Sequence, residues 1–218
     1  MAVYVINAAP SCNRSYWDAR GCSEGFAEDL LTAQEDLLSR ATTRQCITRL
    51  QAFYWTSLLE VGCGFGRNIQ PLKEAFPGRI LIGMDFSIEQ LRRAPKFVSR
   101  PAAWCVAELE WLPVLDHSVD IVMTHGVLMY IHPEKLCWAL HELRRVLSRG
   151  LLLAEYDVQD NTLPWQLHRR ATAGWFAHDY RQALNTAGWI LKAATPCWTA
   201  QQYPERMSVT LFEALPCR

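Results

Sequence analysis

The chain has 218 residues and a mass of 25.0 kDa, a length typical of one domain or of one domain with a small appendage. Half of the residues are hydrophobic and 20% are charged, which excludes intrinsic disorder because apolar side chains are abundant enough to offset the entropy lost on folding. Lys plus Arg and Asp plus Glu both total 22, so the net charge is zero and no global field favours nucleic acid or an anionic membrane. We therefore expect a small-molecule partner and no nucleic acid or membrane, while the oligomeric state is left open.

Eight cysteines are scattered along the chain without a C-x-x-C pair or a zinc-like Cys/His spacing, so we predict no metal site. The start of the chain lacks a basic segment followed by a long apolar one, and no apolar run approaches the ~18 residues that span a membrane. We therefore predict a cytoplasmic protein whose cysteines are reduced and mostly buried.

In chain order, residues 1–55 are predicted to form an N-terminal lid with helices packed on the core, and residues 56–218 the core itself. Residues 1–22 contain many turn-forming residues and are predicted to be irregular. Ser23 is a candidate N-cap for the helical pattern that follows. We expect a single domain overall.

Beyond residue 56, short apolar runs alternate with helical patterns. The predicted strands are 57–61, 79–84, 102–107, 119–124 and 150–156, and the predicted helices between them are 67–76, 87–96 and 133–147. Such apolar strands, joined through helices, predict a parallel sheet covered on both faces. After a connection at 157–175, the pattern predicts a helix at 176–186 and a closing hairpin of two strands at 189–194 and 206–214.

The strongest signal for function follows the first strand, in Glu60-Val61-Gly62-Cys63-Gly64-Phe65-Gly66-Arg67-Asn68. The three glycines let the backbone turn tightly and let a ligand approach main-chain atoms. Their spacing differs from the G-x-G-x-x-G of dinucleotide dehydrogenases, and no Gly-Lys-Ser/Thr of a phosphate-binding loop follows. An ordinary tight turn between a strand and a helix is the alternative interpretation.

Acidic residues follow the next two strands. Asp85 ends the second strand, where a carboxylate can accept both ribose hydroxyls of a nucleoside or cap the next helix, although Ser87 is better placed as that cap. Phe86 is placed to pack on an adenine face. Farther along, Glu108-Leu109-Glu110-Trp111-Leu112-Pro113 precedes Asp120, for which we expect a structural role at the start of the fourth strand.

In this order and at these spacings, the three segments resemble the motifs of class I S-adenosylmethionine-dependent methyltransferases, over residues 57–156 most clearly. The resemblance implies an α/β Rossmann-like fold: a seven-stranded sheet of order 3-2-1-4-5-7-6, with strand 7 antiparallel and helices on both faces. It also implies S-adenosylmethionine as cofactor, S-adenosylhomocysteine as product, and methyl transfer to an O or N atom of a small molecule in a biosynthetic pathway.

The resemblance also implies where the cofactor would lie. Glu108 would accept the adenine amino group, although the usual residue there is Asp, and the backbone N–H of Leu109 would meet the ring. His125 would face the amino-acid portion. The predicted cofactor-binding residues are Tyr16, Trp17, Glu60, Gly62, Cys63, Gly64, Asn68, Asp85, Phe86, Ser87, Glu108, Leu109, His125 and Gly126.

A looser resemblance links residues 124–133, 149–156 and 176–180 to the pseudaminic-acid-biosynthesis-associated methylases. The glycine-rich motif is closer to the general methyltransferase form, and the ribose-binding acid is Asp85 where that subgroup has Glu. The match therefore guides geometry and not the substrate.

Polar residues that end strands 4 and 5 are the candidate catalytic residues: Tyr130, His132, Glu155 and Tyr156. Glu155 ends an otherwise apolar strand, so its carboxylate must be paired, solvated or functional. His132 precedes Pro133 and can equally serve as the N-terminal residue of the next helix. Tyr16 and Trp17 either fold over the cofactor or anchor the N-terminal arm.

The connection after strand 5 carries Trp165, Arg169, Arg170 and Trp175. These residues form either a cationic aromatic rim that selects a carboxylated or planar acceptor, or one solvated face of a helix. Three other functions stay open: a nucleotide-binding oxidoreductase, a non-catalytic cofactor-binding subunit, and an enzyme of the same fold that uses S-adenosylmethionine for another reaction.

Overall fold

The computed structural model describes residues 14–23, 33–99, 102–162, 164, 166–167, 174–198 and 208–217. The strands in this part of the chain are β1 Ser57–Val61, β2 Ile80–Asp85, β3 Ala103–Val106, β4 Val119–His125, β5 Leu147–Glu155, β6 Trp189–Trp198 and β7 Val209–Pro216. The helices are α1 Arg14–Cys22, α2 Ala33–Leu50, α3 Ile69–Ala75, α4 Ile88–Phe97, α5 Pro133–Val146 and α6 Tyr180–Thr186. Short 3₁₀ turns lie at Leu128–Tyr130 and Val158–Asp160.

All seven strands form one sheet in the order β3-β2-β1-β4-β5-β7-β6. Strands β1 to β5 are parallel, whereas β7 runs antiparallel to both β5 and β6. The predicted fold class, strand order and closing hairpin are therefore confirmed. Because β1 lies between β2 and β4, the chain changes direction across the sheet there, and a crevice opens at the carboxyl ends of these strands.

Two large apolar clusters, one on each face of the sheet, form most of the core, and a small third cluster contains Phe65 with Trp17 and Phe97. Consecutive strand residues point to opposite faces, so Leu58 and Ile121 belong to one cluster while Leu59 and Val122 belong to the other. This burial on both faces explains why the strands read as continuous apolar runs in the sequence.

The N-terminal region departs from the prediction. Residues 14–22 form helix α1 and are not irregular. Ser23 follows this helix, and its hydroxyl donates to the Ala19 carbonyl oxygen at 3.0 Å. Its predicted role as the N-cap of the next helix stays a prediction. Helix α1 packs on α4, and the Arg93 side chain donates to the Ser23 carbonyl oxygen at 2.7 Å. Residues 24–32, where the next helix was expected to begin, lie outside the described residues.

The helix expected to start at residue 176 starts at Tyr180 instead. The Phe176 N–H donates to the Met129 carbonyl oxygen at 2.8 Å, which holds this segment extended. Asp179 is the N-cap of α6, and its carboxylate accepts from the Gln182 N–H at 2.9 Å. Strand β6 continues to Trp198, four residues beyond the predicted end.

One predicted helix start and the predicted role of one strand residue agree with the structure. The Ser87 hydroxyl accepts from the Gln90 N–H at 3.3 Å and caps α4, as predicted. Asp120 opens β4 and accepts from the Thr56 N–H at 2.6 Å, which agrees with the structural role expected for it. Within the part of the chain that the structure describes, no helix is both long and apolar enough to cross a bilayer.

Candidate cofactor and acceptor site

The carboxyl ends of β1, β2 and β4 bring the predicted glycines together, and those glycines have different roles. A Cβ on Gly62 would lie 2.3 Å from the Val127 side chain, so Gly62 permits close packing. A Cβ on Gly64 would have the Gln90 amide oxygen as its nearest neighbour, at 3.6 Å, which leaves its main chain open. Both residues have positive φ, 73° and 55° respectively. Gly64 is therefore where a ligand can approach the backbone.

The side chain of Cys63 faces the core, at 5% exposure, and its N–H donates to the Met84 carbonyl oxygen at 2.9 Å. The Gly62 N–H donates to the same oxygen at 2.7 Å. Within this turn, the Gly64 main chain is the part left open to a ligand. The N–H groups of Gly62 and Cys63 attach the turn to β2.

Asp85 fixes this turn at the end of β2. Its carboxylate accepts from the Gly64 N–H at 2.8 Å and from the Ser87 N–H at 2.9 Å, and the residue is 8% exposed. The Ala107 N–H donates to the Asp85 carbonyl oxygen at 3.0 Å, which places the exposed Glu108 and the buried Leu109 on the adjoining loop. Half-buried Phe86 follows directly. The structure therefore groups the residues predicted to hold a nucleoside.

A buried polar network lies behind the glycine-rich turn. Glu60 Oε1 accepts from Asn68 Nδ2 at 2.6 Å, and Asn68 Oδ1 accepts from Thr43 Oγ1 at 2.8 Å and faces His125 Nδ1 at 3.3 Å. Burial raises the pKa of Glu60 to about 8 and lowers the pKa of His125 to about 3. Thr43 was not predicted, because a threonine on a helix gives no sequence signal for such a contact.

Four aromatic side chains form what we call the aromatic cluster: Trp17, Tyr130, Tyr156 and Trp175. Trp17 meets Tyr130 edge-on at 5.5 Å between ring centroids, Tyr130 meets Trp175 at 6.1 Å, and Trp175 stacks on Tyr156 at 5.6 Å. Tyr16 packs against Trp17 at 5.2 Å. Helix α1, β5 and the turn after β4 thus contribute to one aromatic surface.

The aromatic cluster adjoins open backbone at the end of β4. Gly126 has φ 65°, and a Cβ there would find its nearest neighbours, Met129 Cε and Tyr156 Cε2, at 3.9 and 4.0 Å. Burial raises the pKa of Tyr130 far above its usual range, so its hydroxyl stays protonated.

Glu155 is fully buried beneath the turn that follows β4. Its carboxylate accepts from Thr124 Oγ1 at 2.8 Å and from the Val127 N–H at 3.1 Å. Burial raises its pKa to about 7, whereas these hydrogen bonds lower it. Of the three alternatives for this carboxylate, the structure shows pairing. A catalytic role for Glu155 stays a prediction.

The same turn is fixed from its other side by His178, whose role the sequence did not reveal. His178 Nε2 donates to the carbonyl oxygens of Leu128 and Ile131, both at 3.1 Å. Burial lowers the pKa of His178 to about 4, which keeps the ring neutral.

His132 serves as the N-cap of α5, and its ring lies 5.1 Å from that of Phe176. The helix-capping alternative is therefore realised, while a part in catalysis stays a prediction. Trp165, Arg169 and Arg170 lie outside the described residues. Of the four residues predicted to form a cationic aromatic rim, the structure therefore describes only Trp175.

The model of a methyltransferase domain family matches residues 58–150, which include the glycine-rich turn, Asp85, Glu108 and His125. Residues 58–150 are a methyltransferase domain. The chain is 32% identical to a human tRNA N(3)-cytidine methyltransferase over 116 residues, 49% of this chain and 41% of that protein. It is also 32% identical to a malonyl-[acyl-carrier protein] O-methyltransferase of Coxiella burnetii over 111 residues, 51% of this chain and 36% of that protein. The chain thus spans less than half the length of these curated relatives.

Solved structures extend the likeness to the whole fold. Magnesium protoporphyrin IX methyltransferase from Synechocystis with bound S-adenosylhomocysteine superimposes with a TM-score of 0.75 at 18% identity, covering 93% of this chain and 97% of that chain. A chain from the complex between the Haloferax volcanii Trm112 methyltransferase activator and a methyltransferase gives a TM-score of 0.72 at 18% identity, covering 93% and 98%. The predicted class of methyltransferase and its cofactor are confirmed, while the pseudaminic-acid subgroup stays a prediction.

One prediction is corrected by these relatives. Zero net charge led us to exclude nucleic acid as a partner, yet the similar curated proteins include tRNA methyltransferases. Net charge sums over the whole surface, whereas nucleic acid meets only a local patch. The exclusion is therefore wrong.

The residues of the methyltransferase domain fit S-adenosylmethionine. The Glu60 Oε2 atom is buried and has no hydrogen-bond partner among the described residues, so a hydrogen-bond donor would satisfy it, and the cofactor's amino-acid end carries an ammonium that can donate. Asp85 offers its carboxylate to the ribose hydroxyls, and Gly64 leaves its main chain open. Glu60 and Asp85 would hold opposite ends of the cofactor.

Proposed function

We propose that the protein transfers the methyl group of S-adenosylmethionine to an O or N atom of a planar acceptor. The observation that carries this proposal is the aromatic cluster beside the open backbone of Gly126. Aromatic faces hold a flat ring by stacking, and they exclude water from it.

When bound, the cofactor supplies a methyl group on a positively charged sulfonium. The chain's own residues bind the cofactor and orient the acceptor. Neutral His125 adds no positive charge beside the cofactor, and the buried Glu60 carboxyl offers an oxygen that can accept a hydrogen bond from it. Trp17 of α1 is half-buried and packs edge-on against Tyr130 in the aromatic cluster, and we infer that this contact limits water there.

We assign Glu155 and His178 as positioning residues in this proposal. Both hold the turn that carries Tyr130, one through the Val127 N–H and the other through the Leu128 and Ile131 carbonyl oxygens. A fixed turn keeps the acceptor in line with the methyl group, and orientation supplies much of the rate enhancement of a displacement reaction.

Two classes of planar acceptor are supported by different observations. A small molecule of a biosynthetic pathway is supported by the likeness to the magnesium protoporphyrin IX and malonyl-[acyl-carrier protein] O-methyltransferases. A nucleobase in tRNA is supported by the tRNA N(3)-cytidine methyltransferase relatives. Both acceptors would place a ring or a carbonyl group against the same aromatic cluster.

The test measures S-adenosylhomocysteine release from two acceptor pools, total tRNA and a cell extract of low molecular mass. We expect turnover with one pool, and we expect Trp175→Ala to raise the acceptor KM about tenfold or more because a stacking face is lost. Trp138→Ala is the matched control, since Trp138 is 59% exposed on α5. Cofactor binding without turnover on either pool would instead favour a non-catalytic cofactor-binding subunit.

A further inference from the structure

The loop that connects β3 to β4 is held in place by side chains of α5. We call residues 107–118 the β3–β4 loop. Near its start, the Trp111 N–H donates to the Glu108 carbonyl oxygen at 3.0 Å and closes a turn. That turn contains Glu108 and Leu109, the two residues predicted to meet the adenine of the cofactor. The contacts that fix this loop therefore bear on the nucleoside end of the cofactor site.

Arg145 of α5 uses all five of its side-chain N–H groups on the β3–β4 loop and on Glu142. Its Nη1 donates to the Val114 carbonyl oxygen at 2.8 Å and to Asp116 Oδ1 at 2.7 Å, and its Nη2 donates to the Leu112 carbonyl oxygen at 2.9 Å. Its Nε and Nη2 also donate to the Glu142 carboxylate, at 2.9 and 2.7 Å. A guanidinium carries five donors in one rigid plane, and a lysine with three donors on one nitrogen does not reproduce this set of contacts.

Glu142 holds the same point of the loop from the other side of the peptide. Its Oε1 accepts from the Leu112 N–H at 2.9 Å, so α5 binds both the N–H and the carbonyl oxygen of Leu112. The hydrogen bonds from Arg145 lower the pKa of Glu142, which keeps this carboxylate charged at neutral pH. Leu109 and Leu112 are both buried in the apolar cluster that includes α5 residues. Packing and hydrogen bonds thus fix the same segment.

The far end of the β3–β4 loop is fixed by the main chain beside Arg145. The His117 N–H donates to the Arg145 carbonyl oxygen at 2.8 Å, and His117 Nδ1 faces the Leu147 carbonyl oxygen at 2.9 Å. His117 has φ 54°, a left-handed conformation that a residue with a side chain keeps only where its surroundings hold it. Arg145 therefore determines the path of the loop through its side chain and through its main chain.

These contacts give Arg145 a role in recognition of the cofactor's base. Selective hydrogen bonds to a base require donors and acceptors that are held in place before the ligand arrives. We propose that Arg145, together with Glu142, is a positioning residue for the adenine. By holding the β3–β4 loop, it keeps Glu108 and the Leu109 N–H where they meet the ring. The inference rests on that placement of the adenine and not on the identity of the methyl acceptor.

The test is calorimetric titration of the full chain with S-adenosylhomocysteine and with S-inosylhomocysteine, in which an oxygen replaces the adenine amino group. The amino group would donate to Glu108, and the neighbouring ring nitrogen would accept from the Leu109 N–H. Both atoms have the opposite hydrogen-bonding character in the inosine analogue, so we expect the wild type to bind it about tenfold or more weakly.

Arg145→Ala should bring the two affinities close together, mainly by weakening S-adenosylhomocysteine, because a displaced loop recognises neither base. Glu142→Gln keeps the side-chain shape and should reduce the preference for adenine in the same direction, which provides a second variant if Arg145→Ala does not fold. Asp116→Ala is the matched control. It removes one of the five hydrogen bonds at a side chain that is 67% exposed, so it should keep the wild-type preference.

Two results would overturn the proposal. One is a wild-type preference for adenine in both Arg145→Ala and Glu142→Gln, and the other is an equal weakening of both ligands, which a general loss of stability would produce. Equal affinities of the wild type for the two ligands would refute the placement of the adenine, and the proposal with it. Methyl transfer is measured separately by S-adenosylhomocysteine release, so none of these results decides the proposed function.

Discussion

At the scale of single residues, the site depends on three carboxylates near the carboxyl ends of β1, β2 and β5. One carboxyl oxygen of Glu60 accepts from Asn68, and the other has no hydrogen-bond partner among the described residues. The Asp85 carboxylate accepts from two backbone N–H groups. Glu155 lies under the turn after β4 and accepts from the Val127 N–H. Their surroundings differ, so substitutions at each should change different measurable properties.

Asp85→Ala should weaken S-adenosylmethionine binding tenfold to a hundredfold, about 1.5–3 kcal/mol for charge-assisted hydrogen bonds. Two effects combine: the ribose hydroxyls lose the carboxylate that would accept from them, and the Gly64 N–H loses its acceptor. Calorimetry measures the affinity. Asp116→Ala is the control, since that side chain is 67% exposed. An Asp85→Ala variant with unchanged affinity would contradict the assignment.

Glu155→Gln should change how stability depends on pH. Burial raises the pKa of Glu155 from 4.5 to about 7, so the folded state keeps a proton that the unfolded state releases in this interval. This group therefore contributes stability below pH 4.5, which is lost as the pH rises toward 7.

The measurement is the melting temperature of wild type minus that of Glu155→Gln, followed from pH 4.5 to pH 8. Because a glutamine does not titrate, this difference reports the titration of Glu155. We expect the difference in melting temperature to fall as the pH rises and to level off above pH 7, where the carboxylate is ionised in both the folded and the unfolded state. Glu134→Gln, at a side chain 86% exposed, should give a flat difference. A flat difference at Glu155 as well would mean that its carboxylate is ionised throughout.

At the scale of elements, the contact of α1 with α4 decides whether Trp17 reaches the aromatic cluster. Gly21 makes this contact possible, because a Cβ there would lie 2.9 Å from Glu89 Cβ and 3.0 Å from the Gln90 backbone nitrogen. Side chains or backbone must shift if anything larger occupies this position.

Gly21→Ala should therefore loosen α1 while leaving the sheet intact. We expect faster amide hydrogen exchange over residues 14–22 and a severalfold weaker affinity for S-adenosylmethionine, with exchange in β1 and β4 unchanged. Gly78→Ala is a matched control, since no heavy atom lies within 4 Å of a Cβ placed there. Protection of α1 equal to that of wild type would show that the helix does not depend on this contact.

Elements that depend on nearby residues could be predicted from the sequence, whereas elements that depend on contacts with distant residues could not. Strands β1, β2, β4 and β5 are mostly buried, so their apolar runs identified them, and Ser87 capped α4 from within three residues. Helix α1 has no apolar periodicity and is held by α4, some seventy residues away.

The same distinction holds in the site. The glycine-rich turn and Asp85 follow strand ends, and the sequence located both. The roles of Thr43 and His178 arise only when distant segments meet, at Asn68 and at the turn after β4. Nucleic acid was excluded wrongly because charge was summed over the chain, whereas a nucleic acid meets only a local part of the surface.

At the scale of the whole molecule, the rate at which the buried cysteines are alkylated measures how often the core opens. Cys46 and Cys63 are 1% and 5% exposed, and burial raises the pKa of both thiols, whereas Cys22 and Cys217 are exposed. Because the thiolate is the reactive form, we expect an alkylating reagent at pH 8 to label Cys22 and Cys217 before Cys46 and Cys63.

Labelling of Cys46 and Cys63 should follow global unfolding, which peptide mapping by mass spectrometry can measure over time. Both thiols belong to the apolar cluster that α2 and α3 cover. Labelling in denaturant gives the unprotected rate for each site. Rapid labelling of Cys63 in the native protein would contradict this expectation and indicate local opening of the glycine-rich turn.

The contacts of α2 with β6 have a consequence for synthesis on the ribosome. Trp198 Nε1 donates to Thr42 Oγ1 at 3.3 Å, and Arg49 donates to Thr195 Oγ1 at 3.0 Å, across separations of 156 and 146 residues. Helix α2 precedes β6 in the chain, so its partner strand leaves the exit tunnel only after every parallel strand has done so. Thr43 lies on that helix, so the support of the cofactor site stays incomplete until β6 has been made, and until then the nascent chain exposes the apolar residues of α2 to chaperones.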